Sequence, residues 1–358
     1  MATIEEKVRQ IEDSAVRDLA QVDVDDVYEQ MDYLLRERPT PLQLYDRWEA
    51  QNWKVADLDF SEDAEHWQIL KDQMPEAVEE FLRTFTAFFI GEQAVTDTLA
   101  PLIIAAPDEP NRIFLSTQIV DEARHTVFFA RFFEDVLGVS GGLSAALSTL
   151  RPGTVEGFKK IFDDQLVEAM DRCRLNPQDL TGWVRGIAIY HLVIEGMLAL
   201  TGQKYLLRIF RDLSLMPGFR AGFTAVTRDE SRHVNWGVGA IRQKITEHPK
   251  LHDEVADAVF WILEPAVKTI EPADRPYADG SHPNDFPPQL RINPREVYSF
   301  SLTSLTKRLR SAGLSAQVCE EVEKRGTGYY EAQISFFEDK FGMEHGSRYY
   351  DRGEVILN

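Results

Sequence analysis

An all-α fold, a four-helix bundle core with additional helices around it, is what this sequence predicts, on three observations. Long segments with apolar residues at helical spacing are bounded by Pro and Gly, and no stretch is strand-rich. A pentapeptide occurs twice, as Asp121-Glu122-Ala123-Arg124-His125 and Asp229-Glu230-Ser231-Arg232-His233. Two further acids, Glu92 and Glu195, stand alone inside strongly apolar runs.

In chain order, residues 3–37 read as one or two acidic amphipathic helices, a packing arm that ends at the Pro39-Thr40-Pro41 break. The segment from Asn52 to Phe60 reads as an irregular strand leading in, with Ser61 capping a short helix near 62–73. A long helix from about Pro75 to Ala105 starts on a proline suited to a first turn and carries Glu92; Pro107 and Pro110 end it. The second long helix, 110–137, carries Glu122 and His125 and stops at Gly138. A connecting helix near 141–149 and another at 154–174 precede the third, 179–212, which holds Glu195. Pro217 and Gly218 turn the chain into the fourth, 217–247, with Glu230 and His233. One more helix at 250–270 packs outside, a Pro-rich segment follows from 272 to 294, and helices near 295–311 and 315–340 precede a Gly-punctuated tail with Tyr349 and Tyr350. The domain reading is an N-terminal helical extension at 1–40, the bundle at 41–271, and a Pro-rich loop with C-terminal helices at 272–358.

Spacing turns these elements into a metal site. Glu and His three positions apart project from one face of a helix and can bind one cation. A di-metal bundle needs two such helices and two others giving one inward Glu each. The order Glu92, Glu122 with His125, Glu195, Glu230 with His233 meets that need. A carboxylate in an apolar run must be paired, protonated or metal-bound, because an isolated buried charge costs several kcal/mol. Four carboxylates balance two divalent cations, and neutral imidazoles complete the shell.

Composition bounds the rest. At 358 residues, 44% hydrophobic and 27% charged, the chain is an ordinary globular one. A net charge of -20 argues against nucleic acid as a partner and against an anionic membrane surface. No uninterrupted apolar run of membrane-spanning length and no signal-peptide pattern is visible, so a cytoplasmic protein without membrane insertion is expected. The two cysteines, Cys173 and Cys319, form neither a metal spacing nor a disulfide framework.

With ligand order and helix lengths in place, residues 45–270 resemble the ferritin-like superfamily, specifically the ribonucleotide reductase R2 subunit and its relatives. Asp229 before Glu230 and Trp53 in the lead-in segment carry the likeness, which implies that Trp53, Asp229 and His125 form a hydrogen-bonded layer behind the metal ligands. Phe129, four residues after His125, stands where the standard subunit keeps its radical tyrosine, which excludes a stable tyrosyl radical there. The segments Gly91-Glu92-Gln93-Ala94-Val95-Thr96 and 190–202 look like the R2-like ligand-binding oxidases. That resemblance implies a mixed Mn/Fe centre or two Fe, a long-chain fatty acid bound at the metals, O2 as co-substrate, a homodimer, and an ether cross-link between positions matched by Val95 and Tyr190. Val95, three residues past Glu92, falls on the metal-facing side by helical spacing, whereas Tyr190, five before Glu195, is selected by resemblance alone.

Phe88, Phe89, Val95, Phe128, Phe129 and Leu198 are candidate walls of a dry pocket, His191 reads as a hydrogen-bonded structural histidine, and Arg124 and Arg232 as ion-pair partners of bundle acids. Two alternatives stand beside the oxidase reading. One is a Mn/Fe reductase subunit without the radical tyrosine, passing charge through Trp53 to Tyr349 or Tyr350. The other is a non-catalytic metal-binding bundle. An oxygenase acting on an arylamine or other small substrate is a further possibility within the fold.

Overall fold

A computed structural model describes residues 4–142, 155–270 and 294–341, with positions 144 and 148. Most of the expected connecting helix near 141–149, the Pro-rich segment and the tail with Tyr349 and Tyr350 lie outside the described residues. Among the described residues there are helices and no strand. The element order begins with α1 (Ile4–Asp13), a 3₁₀ turn (Val16–Gln21), α2 (Val24–Glu37), α3 (Pro41–Ala50) and α4 (Ser61–Gln73). The bundle follows as α5 (Pro75–Thr98), α6 (Ala100–Ile104), α7 (Glu109–Asp135), α8 (from Glu156 to Leu175), α9 (Leu180–Asp212), α10 (Pro217–Glu247) and α11 (Leu251–Thr269). It closes with α12 (Pro294–Ala312) and α13 (Ala316–Phe341).

Four of these, α5, α7, α9 and α10, form the bundle that carries the acid and histidine pattern. α5 packs along α7 and α9 along α10. Their starts are set locally. Pro75 and Pro217 occupy first-turn positions, and the Asp108 carboxylate accepts from Asn111 N at 3.1 Å to cap α7. The start of α10 is capped from a distance: buried Asp63 of α4 accepts from Gly218 N at 2.9 Å and Phe219 N at 2.6 Å. Burial pushes that carboxyl up to about 6, against the pull of the two amides.

Several expectations change. The Pro39-Thr40-Pro41 break begins a helix, because Thr40 and Gln43 form a reciprocal capping box and Pro41 fits its first turn. α3 thereby brings Trp48 to the bundle. Ser61 is the first residue of α4 and not its cap; its N–H is taken by Asp59 Oδ1 at 3.0 Å. The expected strand at 52–60 is irregular chain with a 3₁₀ turn at Val55–Asp57. α5 stops at Thr98, and Pro101, which has no N–H, opens the separate short helix α6. Val78–Ile104 and Leu180–Asp212 are long and apolar enough to cross a membrane, against the expectation of no such segment. Most of Leu180–Asp212 is buried inside the bundle, and its burial in protein accounts for its apolarity.

The middle of α9, Ala188–Ala199, is π-helical, as is Lys160–Gln165 within α8. At Gly237 of α10 an added Cβ would collide with the His191 side chain, so this glycine lets α9 and α10 close on each other beside the site. The N-terminal arm is latched to the same helix: buried Arg228 donates to the carbonyls of Ile11 and Ser14 at 3.2 Å and of Gln51 at 2.9 Å.

Candidate metal centre

The structure brings Glu92, Glu122, His125, Glu195, Glu230 and His233, all buried, to one point inside the bundle. Ligand atoms of Glu92, Glu122, His125 and Glu230 lie within 4.8 Å of one another, as do those of Glu122, Glu195, Glu230 and His233. Glu122 and Glu230 belong to both groups, so they stand between two neighbouring positions. His125 Nδ1 faces Glu92 at 3.2 Å and Glu122 at 3.5 Å. His233 Nδ1 faces Glu195 and Glu230 at 3.3 Å and Glu122 at 3.4 Å.

Behind the histidines the two pentapeptides strap each other crosswise. Asp229 accepts from His125 Nε2 at 3.2 Å and from Trp53 Nε1 at 2.8 Å. Asp121 accepts from His233 Nε2 at 3.1 Å and from Trp48 Nε1 at 2.9 Å. Arg232 bridges the two aspartates at 2.6 and 3.0 Å, and Arg124 does so at 2.7 and 3.4 Å. An aspartate on Nε2–H fixes the tautomer that leaves the Nδ1 lone pair facing the carboxylates, and raises its basicity. Trp48 and Asp121 are the pair that sequence reasoning missed, although the repeat itself signalled a mirror image of Trp53 and Asp229.

Two more groups reach the carboxylates. Gln118 Nε2 donates to Glu195 at 2.9 Å while its oxygen meets His191 Nε2 at 2.9 Å. Burial, then the neighbouring His233, push His191 down to about 3, so it stays neutral as a structural group. Tyr190 Oη donates to Glu122 Oε1 at 2.8 Å. That reach comes from the π segment: its i→i+5 hydrogen bonding puts residues five apart on one side, which aligns Tyr190 with Glu195 where α-helical spacing would not.

Crowded acids in a dry site respond as expected. Burial pushes Glu92 up to about 7, with His125 pulling the other way, and burial with the Glu122 charge raises Glu230 to about 7. Burial and then Glu230 hold Glu195 well above the usual carboxylate range. For Glu122, burial is outweighed by His125 and His233, and the carboxyl falls to about 2. Burial also opposes ionisation of Asp229, but Arg232, His125 and Arg124 keep it well below its ordinary value. Burial, then Glu122, raises the Tyr190 phenol well above 10.

The residues fit a pair of divalent ions. Glu122 Oε2 and Glu195 Oε2 are buried without a hydrogen-bond donor. Four carboxylates and two imidazoles of this kind suit Fe or Mn, and their negative charge matches that of two such ions. Beside them lies a cavity of about 320 Å³, mostly apolar, reaching Glu92, Glu195 and Glu230 at one end and also lined by Val95 and Tyr190. Phe88 and Leu198 line it as expected. Phe89, Phe128 and Phe129 do not; they are core rings, with Phe128 and Phe129 edge to face at 5.0 Å.

Residues 32–272 match the family described as Ribonucleotide reductase, small chain. The chain belongs to that family. It is accordingly a di-metal carboxylate oxidoreductase that uses O2. Among solved structures, the R2-like ligand-binding oxidase from Sulfolobus acidocaldarius is similar with a TM-score of 0.63 at 24% identity, covering 79% of this chain and 93% of that one. A valine variant of an R2-like ligand-binding oxidase with anaerobically reconstituted Mn/Fe cofactor gives 0.64 at 22%, covering 77% and 93%. A tyrosine variant with aerobically reconstituted Mn/Fe gives the same figures. At these identities the likeness establishes a shared fold.

Proposed function

We propose that this member of the family is a ligand-binding oxidase. Glu92, Glu122, His125, Glu195, Glu230 and His233 hold Mn and Fe, or two Fe, and the adjoining cavity takes a long-chain fatty-acid-like ligand. One observation carries the reading: a single apolar cavity opens onto three of the six ligands and onto both Val95 and Tyr190. When bound, the ion pair supplies O2 activation and an oxidant able to take hydrogen from strong C–H or O–H bonds.

This chain's residues do the rest. Asp121 and Asp229 orient the two imidazoles, and Glu122 and Glu230 lie where one carboxylate can serve both positions. Phe129 packs against Phe89 and Phe223 in the bundle core, so an apolar ring stands where a radical tyrosine would. The Tyr190 phenol keeps its proton on Oη, donated toward Glu122, until oxidation removes it.

A Val95–Tyr190 ether joins Tyr190 Oη to a Val95 carbon; one hydrogen leaves each residue, and the two electrons go to O2. Protein reconstituted with Mn(II) and Fe(II) in air is expected to lose two hydrogens in its intact mass and to yield one fused tryptic species, both absent in Tyr190→Phe. Unlinked peptides after measured O2 consumption would remove the cross-linking oxidase reading and leave the metal site standing.

The hydrogen-bonded run Trp53, Asp229, His125 supports a second reading, a reductase subunit that passes charge outward. Nucleotide reduction on adding a large catalytic partner would select it.

A further inference from the structure

We propose that Gly202 and Phe88 together set the bore of the cavity and restrict its occupant to an unbranched acyl chain. The proposal rests on the ligand-binding reading above. Both residues line the cavity from facing helices, Gly202 on α9 and Phe88 on α5. A Cβ on Gly202 would lie 2.7 Å from Phe88 Cζ and 3.1 Å from Cε2, so the Phe88 ring must shift to admit it. Two rings back the Phe88 side chain away from the cavity. Phe223 meets Phe88 edge-on at 4.9 Å, and Phe129 stacks on it at 6.1 Å with planes 3° apart. A larger residue at 202 therefore drives Phe88 into the passage and not away from it.

Position along α5 makes the pair a bottleneck. Glu92 follows Phe88 by one turn, and Glu80, Arg83 and Thr84 line the same cavity one to two turns before it. From residue 80 to residue 95 the helix rises ~22 Å. A cavity of about 320 Å³ drawn out along such a length is narrow, at the low end of small-molecule sites in volume. A single extended chain passes such a bore, while a methyl branch or an aromatic ring meets Phe88. The geometry thus favours a straight-chain ligand over an arylamine at the metals.

The test uses metal-loaded full-length protein, with palmitate and a methyl-branched acid of the same length as calorimetric probes and metal content as control. Wild type is expected to bind palmitate and not the branched acid. Gly202→Ala should weaken palmitate at least tenfold with metal content unchanged, and adding Phe88→Leu should restore it to within about threefold. Phe88→Leu alone should admit the branched acid. Undiminished palmitate binding by Gly202→Ala, or no rescue in the double variant, overturns the proposal. Where Gly202→Ala does not fold, Phe88→Leu decides, and failure to gain the branched acid overturns it. Absence of palmitate binding to wild type overturns the ligand-binding reading itself, a result distinct from the others.

Discussion

His125 and His233 are held alike, each by the aspartate of the other's pentapeptide with a tryptophan behind it, yet their carboxylate neighbours differ. Glu92 on the His125 side and Glu195 on the His233 side each face the imidazole directly and line the cavity. On the His233 side Glu195 is also held by Gln118, and Glu122, which both sides share, accepts a hydrogen bond from Tyr190. A common strap thus holds two positions with different polar surroundings. Two unlike ions, or one ion type in two redox states, can be accommodated without any change in the ligand residues themselves.

Removing ligands breaks that comparison most severely. Glu122→Ala, at a carboxylate shared by both groups, is expected to abolish both ions, whereas Glu195→Ala should leave one ion per chain on the His125 side; elemental analysis after desalting reads the difference. Equal losses from the two variants would mean that the positions fill only together.

Exchanging the straps comes next. Asp229→Asn should weaken the ion beside His125, and Asp121→Asn the ion beside His233, each by about 10–100-fold, the usual effect of losing a partner behind a ligand. Chelator competition with the metals assigned by X-ray absorption measures it, and a change on the same side in both variants would refute the crosswise arrangement.

Acid gives the smallest and most graded distinction. A carboxylate whose pKa is raised in the folded protein holds its proton against the ion. Glu195 is driven well above the usual range while Glu92 reaches about 7, so as pH falls from 8 the ion on the Glu195 side should leave first. In metal-free protein the raised Glu92 and Glu230 bind more protons folded than unfolded, so their contribution to stability is fully present below their unfolded pKa and lost as pH rises through about 7. The gain in melting temperature from added metal should consequently widen between pH 5.5 and 7.5. A constant gain would show that protons and metal do not compete there.

The ligand set was legible because each of its members breaks a local rule: an acid inside an apolar run, or a charged pentapeptide repeated on two long helices. Helix extents followed from Pro and Gly. α3 was missed because Pro39 and Pro41 read as a break, while the capping partner of Thr40 is a glutamine two residues beyond the second proline. Trp48 went with it. The π segment left no trace, since a helix apolar on every side has no face whose period could reveal the change. That is also why the position of Tyr190 could not be obtained by counting. Phe128 and Phe129 were misplaced for the same kind of reason, because composition does not tell a wall from the packing behind it.

The π segment works like a reading frame for side chains. Each residue of an α-helix turns the chain by about 100°, so deleting one residue between Tyr190 and Glu195 would leave an unbroken helix while swinging the phenol relative to the carboxylate. Such a deletant could keep its fold and its burial of Glu195 and still lose the register in which a phenol and a carboxylate five positions apart look the same way. Chemistry here hangs on a helix that is one step out of phase with the ordinary one, and editing its length, more than its composition, is the sensitive operation.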